Sequence, residues 1–117
     1  MALINFQKQF AKVVKNGKKR QTIRKQRKYP IKVGETLYLY IGLRTKKARK
    51  LRTEKCKWID MIKIYQDGIR LGKRWRLSHK RELDEFAQAD GFENYTEMVK
   101  WFSETHGLPF EGILIKW

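Results

Sequence analysis

The chain has 117 residues and a formal net charge of +16, from 28 Lys and Arg against 12 Asp and Glu. That length suits one domain over residues 1–117 and can bury a core without disulfide or metal staples. With 41% hydrophobic and 13% aromatic residues the chain is too apolar for a disordered segment, and no apolar run reaches the ~18 residues of a membrane-spanning helix.

The elements follow in chain order. Leu3–Phe6 suits a short strand or an N-terminal staple, without the basic and long apolar regions of a secretory signal. Phe6, Phe10, Val13 and Val14 recur at helical spacing, which predicts a helix over 6–16 ended by Gly17. Gln21–Arg24 is a short β-like segment, followed by a basic loop over 25–33. Thr36–Ile41 is the clearest strand. Arg44–Lys50 reads as a second basic loop, and Cys56–Tyr65 as a long strand. Asp67-Gly68 signals a hairpin that returns along Ile69–Leu71.

Ser78, with Arg81-Glu82 at the capping-box distance, opens a helix burying Leu83, Phe86 and Ala87 and stopped by Gly91. Asn94 with Glu97 opens another, with Met98, Trp101 and Phe102 as its core stripe and Gly107 at its end. Phe110–Trp117 is a closing strand. The order predicts an α+β fold: a mixed, mainly antiparallel sheet curved into a small barrel, with helices packed around it.

The charge is unevenly distributed. Residues 1–57 carry 19 basic and 2 acidic side chains, residues 58–117 carry 9 and 10. Such concentration on one part of a surface is the footprint of a protein that neutralises phosphates. The predicted partner is nucleic acid, RNA before DNA, with no membrane partner and a monomer favoured. Phosphate contacts are expected from Lys18, Arg20, Arg27, Arg44, Lys46, Lys47 and Arg49. Among the aromatics interleaved with these charges, Tyr38, Tyr40 and Trp58 read as core. Trp75, between Arg74 and Arg76, reads as the ring left exposed for a base.

Cys56 is the single cysteine, which excludes an internal disulfide and any multi-cysteine zinc site, and fits a reducing cytoplasm. It reads as a half-buried strand residue, although Lys55 and Lys57 would lower its pKa. His79 and His106 are the only histidines, too few for a His-dominated metal site. His79 falls in a helix first turn and His106 at a helix end, where the dipole favours a cation. No cofactor or metal is expected, and no phosphate-cradling glycine loop is present.

The segment Gly17-Lys18-Lys19-Arg20-Gln21-Thr22-Ile23-Arg24, then Gly34-Glu35-Thr36-Leu37, then Phe86-Ala87 with Asp90-Gly91-Phe92, and finally Gly107-Leu108-Pro109-Phe110, resembles the ASCH domain family of the PUA-like superfamily over roughly residues 3–117. The resemblance implies a PUA-like barrel with an RNA- or nucleotide-binding cleft between barrel and helices. One branch of that family removes acetyl groups from N(4)-acetylcytidine-type nucleosides with a Lys-Thr-Glu triad, and another is reported as ribonucleases. By position the triad falls on Lys19 and Thr22, with Arg24 following. The acid falls on Asp90, one methylene shorter than the family's Glu.

If Gln21–Arg24 is a strand, Thr22 and Arg24 share the cleft face and Ile23 faces the core. Lys19, at the strand's entrance, reaches the same space. Lys19, Thr22 and Asp90 then suit base, nucleophile and orienting acid, provided that the lysine pKa is lowered. Equally, Lys19 and Arg24 suit a phosphate clamp with Thr22 as a donor and Asp90 as a salt-bridge partner. The large charge favours a polymer over a small nucleoside. The first reading leads one to expect that Lys19→Ala leaves the fold intact.

Overall fold

The computed structural model describes residues 2–73 and 75–117, so Arg74 lies outside the described residues. The fold is α+β with mostly antiparallel sheets. Along the chain come β1 (Ala2–Phe6), a 3-10 turn (Lys8–Phe10), α1 (Ala11–Lys15), β2 (Gln21–Arg24), β3 (Thr36–Ile41), β4 (Arg49–Lys55), β5 (Trp58–Tyr65), β6 (Gly68–Leu71), β7 (Trp75–Leu77), α2 (Lys80–Ala89), α3 (Tyr95–Thr105) and β8 (Phe110–Lys116).

The strands form two sheets, ordered β1-β3-β4 and β2-β8-β5-β6-β7. β1 runs parallel to β3, and the other ladders are antiparallel. Among the described residues no ladder joins the sheets, so the expected closure into a barrel is not formed. They pack face to face instead. Ile4, Leu37 and Leu39 meet Ile113, Ile115 and Trp117 in one core. On the other side of the five-stranded sheet, Ile62, Ile64 and Leu114 meet Leu83, Ala87, Met98 and Phe102 of α2 and α3 in a second. β8 contributes to both cores, which is why its sequence is an apolar run and not an alternation.

Several boundaries differ from expectation, each for a physical reason. Phe6 belongs to β1, whose Ala2, Ile4 and Phe6 face inward by alternation. The predicted helix over 6–16 therefore shrinks to the 3-10 turn and α1, with Phe10, Ala11 and Val14 as its buried side chains. Arg49 and Lys50 lie on β4, opposite Ile41 and Tyr40, and not in a loop. β4 escapes a pattern search because Leu51 is its only apolar residue. β5 begins at Trp58, with Cys56 buried just before it. The β5–β6 turn is Gln66-Asp67, with Gly68 pairing Tyr65.

His79, and not Ser78, is the N-cap residue of α2 and makes no side-chain cap, so the capping box expected from Ser78 is not formed. Asn94 does cap α3, its side chain accepting from the Glu97 amide at 2.9 Å. Among the described residues no helix is long and apolar enough to cross a membrane.

Candidate nucleotide cleft

Lys19, Thr22, Arg24 and Asp90 converge on one cleft of about 430 Å³. β2 brings Thr22 and Arg24. Thr22 pairs with Ile115 in the β8 ladder, so it shares the face turned toward the three-stranded sheet. The end of α2 brings Asp90, the helix C-cap. The left-handed turn at Gly91 (φ +97°) lets the chain pass close to Lys19 and Phe10: a Cβ there would lie 2.9 Å from Phe10 Cδ1 and 3.2 Å from Lys19 Cδ.

Lys19 is 3% exposed and Asp90 4%. The ammonium lies 3.3 Å from the Asp90 carboxylate and also donates to the Asp90 main-chain carbonyl. It sits over the Phe10 ring, 5.0 Å from the centroid, and 5.8 Å from that of Phe6. Gln21 Nε2 donates to the same carboxylate oxygen at 3.3 Å. Burial pushes the Lys19 ammonium below its ordinary value against the raising effect of Asp90. Burial pushes the Asp90 carboxyl up, against Lys19, Gln21 and Arg24. The expectation that Lys19→Ala spares the fold is therefore corrected: truncation would strand a buried carboxylate.

Arg24 is half-buried. Its Nε donates to Thr22 Oγ1 at 3.1 Å, and its guanidinium stacks 5.0 Å from the Phe6 centroid. Burial pushes its pKa down to about 10, still charged at neutral pH. The Thr22 hydroxyl is thus engaged by Arg24, while the Lys19 ammonium is engaged by Asp90. The two paired contacts stand side by side in the cleft.

Further lining that the sequence did not place at the site comes from Asn5 on β1 and Gln7 just after it, Phe92 after Gly91, Trp101 and Thr105 on α3, and His106 at its C-cap. Trp101 is half-buried: it packs against the second core, as expected, and also lines the cleft, whereas Phe102 is fully core at 2% exposure. The spacing Trp101–Thr105 on one helix face was the available signal, masked by its overlap with the core stripe. The His106 ring lies 5.8 Å from that of Trp101 and 4.9 Å from that of Phe110. Partial burial and the neighbouring Lys25 push its pKa down, contrary to the expectation of a favoured cation.

The other predicted contacts lie outside the cleft. Lys18, Arg44, Lys46, Lys47 and Arg49 are exposed. Arg20 Nε donates to the Trp117 carbonyl at 3.1 Å, and Arg27 donates to the Leu3 carbonyl at 2.7 Å, so both also fasten the fold. Trp75 is 65% exposed, as expected, and Trp58 is 53% exposed, which corrects its reading as core. Tyr38 and Tyr40 share a face of β3, but it is the outer one, since Leu37 and Leu39 take the core side. The Lys50 ammonium lies 6.0 Å from the Tyr38 centroid. Cys56 is buried at 2% exposure, and burial pushes its thiol up, outweighing any effect of Lys55 and Lys57. Among the described residues no group of three or more His, Cys, Asp or Glu gathers to hold a metal.

The fold and site define an α+β domain with a polar-aromatic cleft beside a strongly basic surface. No family model, no curated protein and no solved structure matches the chain.

Proposed function

We propose that the protein is a cytoplasmic single-domain nucleic-acid-binding module, with RNA as its ligand, that seats one nucleotide in the Arg24–Thr22 cleft. The observation that carries this reading is the cleft's composition. A charged Arg24 and a hydroxyl stand before the aromatic rings of Phe92 and Trp101 in a space of about 430 Å³, within the range of small-ligand sites. A guanidinium suits a phosphate, and the rings suit a base. The half of the chain with 19 basic and 2 acidic residues supplies the flanking phosphate contacts. On this reading the chain is an ASCH-type domain, its two facing sheets standing for an opened PUA-like barrel.

The test is titration of a labelled single-stranded RNA and its DNA counterpart, with Arg24→Met as the variant that keeps the stem and removes the charge. The expected outcome is tighter binding of RNA and loss of affinity in Arg24→Met with an unchanged unfolding transition. Equal affinity of Arg24→Met and wild type would remove the cleft from the interface.

One observation favours a second reading, a hydrolase acting on RNA or on N(4)-acetylcytidine-type nucleosides: burial lowers the Lys19 pKa, the direction a general base requires. Product formation from N(4)-acetylcytidine or labelled RNA, lost in Thr22→Ala, would establish that reading over simple binding.

A further inference from the structure

A second cavity, of about 650 Å³, opens at the far end of the five-stranded sheet and shares none of the lining residues of the cleft. Its position follows from strand register. Along β5, Ile64 and Ile62 face α2 and α3. By alternation the same face continues to Asp60 and Trp58, where both helices have ended their cover. The ladders set Leu114 opposite Asp60, Lys116 opposite Trp58, and Trp75 opposite Leu71. An apolar sheet face is thus left open, flanked by two exposed indoles.

Asp60 is the acid of this groove. Its Oδ1 accepts the Met61 amide at 2.8 Å. A Cβ on Gly72 (φ +61°) would lie 3.1 and 3.2 Å from the two carboxylate oxygens, so a side-chain-free turn leaves the carboxylate its room. Lys73 and Lys116 stand at the rim. Around Trp75 the basic surface continues into a neighbouring pocket lined by Arg70 and Arg76. Four residues along β5 and two strands across, ~13 Å by ~10 Å, set the Trp58 and Trp75 Cα atoms roughly 16 Å apart. That span exceeds the ~3.4 Å rise of stacked bases several-fold and gives room for more than one nucleotide.

We propose that this groove is a second nucleobase subsite for single-stranded nucleic acid, in which Trp58 and Trp75 stack unpaired bases and Asp60 accepts a hydrogen bond from an exocyclic amino group. Charge complementarity selects the occupant, since Lys73 and Lys116 in the groove lining match phosphates that the same strand carries. A carboxylate between Lys73 and Lys116 repels phosphate, so its use is to read a base edge. It accepts from the amino group of cytosine and finds no such donor on uracil. The proposal rests on the nucleic-acid reading and adds to it a location and a base preference.

The experiment compares fluorescein-labelled ten-residue oligocytidylate and oligouridylate by anisotropy, with wild type, Trp58→Ala, Trp75→Ala, Trp58→Phe and Asp60→Ala. A variant with Arg44, Lys46 and Lys47 changed to Glu serves as the phosphate control. Each tryptophan truncation is expected to weaken oligocytidylate binding roughly 5- to 150-fold, the range that stacking one base represents. Trp58→Phe should recover most of the loss. Wild type should prefer oligocytidylate about fivefold or more, and Asp60→Ala should bring that ratio close to one. Wild-type affinity in both tryptophan variants, while the phosphate control loses binding, overturns the subsite and leaves the nucleic-acid reading standing. No binding by wild type overturns both. Equal wild-type affinity for the two oligomers overturns the role of Asp60. Capture of a trimethyl-lysine peptide in place of either oligomer overturns the occupant. Far-UV circular dichroism separates each loss from misfolding.

Discussion

Lys19 and Asp90 stand 71 residues apart in sequence and meet as a buried ion pair, 3.3 Å between nitrogen and oxygen. The contact ties the entrance of β2 to the end of α2, and so fixes the spacing of the cleft. Burying two charges costs several kcal/mol per ion, which their mutual attraction and added hydrogen bonds must offset.

Removing one partner should therefore be much worse than removing both. Lys19→Met and Asp90→Leu are each expected to cost about 3–5 kcal/mol, while the double variant should fall near wild type. Urea unfolding of the four proteins in a double-mutant cycle checks this. Additive losses would mean that the two charges do not depend on each other.

Gly91 should tolerate no side chain. Gly91→Ala is expected to cost about 1–2 kcal/mol for the left-handed backbone and about 1–3 kcal/mol more for crowding Phe10 and Lys19. Thermal unfolding measures the loss, and a Tm within a degree of wild type would contradict the close approach.

His106 should make stability fall on mild acidification. Its pKa is held below the ordinary 6.5 by partial burial first and by Lys25 second. Below pH 6.5 the unfolded chain then binds the proton before the native one does. The stability contributed by this group is present above that pH and is lost as pH falls through the folded value. His106→Gln should reduce the difference in Tm between pH 7.5 and pH 5.5. An unchanged difference would show that the ring titrates alike in both states.

Nucleic-acid affinity should be steeply salt-dependent. On single strands the logarithm of affinity should fall by about 0.7 per decade of salt for each phosphate contact. Reversing Arg44, Lys46 and Lys47 should lower that slope and weaken all sequences alike. A loss confined to particular sequences would mean that these side chains read bases.

The elements legible in the sequence were those whose pattern is local. Thr36–Ile41 and the two late helices announce themselves by β-branched and aromatic runs, by helical spacing, and by the Asn94 cap. The alternation that sets Thr22 and Arg24 on one face needs only that residues 21–24 be extended. β4 and β7 gave no such signal. Each is held by a neighbour's backbone hydrogen bonds, and β4 carries one apolar side chain among charged ones.

Sequence by itself determined the α+β class, the concentration of positive charge in the first half, and the residues Lys19, Thr22, Arg24 and Asp90 as candidates for one site. Only the tertiary structure decided what those residues do to one another. The pairing of Lys19 with Asp90, and of Arg24 with Thr22, depends on where α2 ends relative to β2, a long-range packing relation with no local trace. The same holds for Trp58 and Trp75. Both sit on strands, where alternation allows a ring to face either core or solvent. The limited reach of α2 and α3 across the sheet left them exposed.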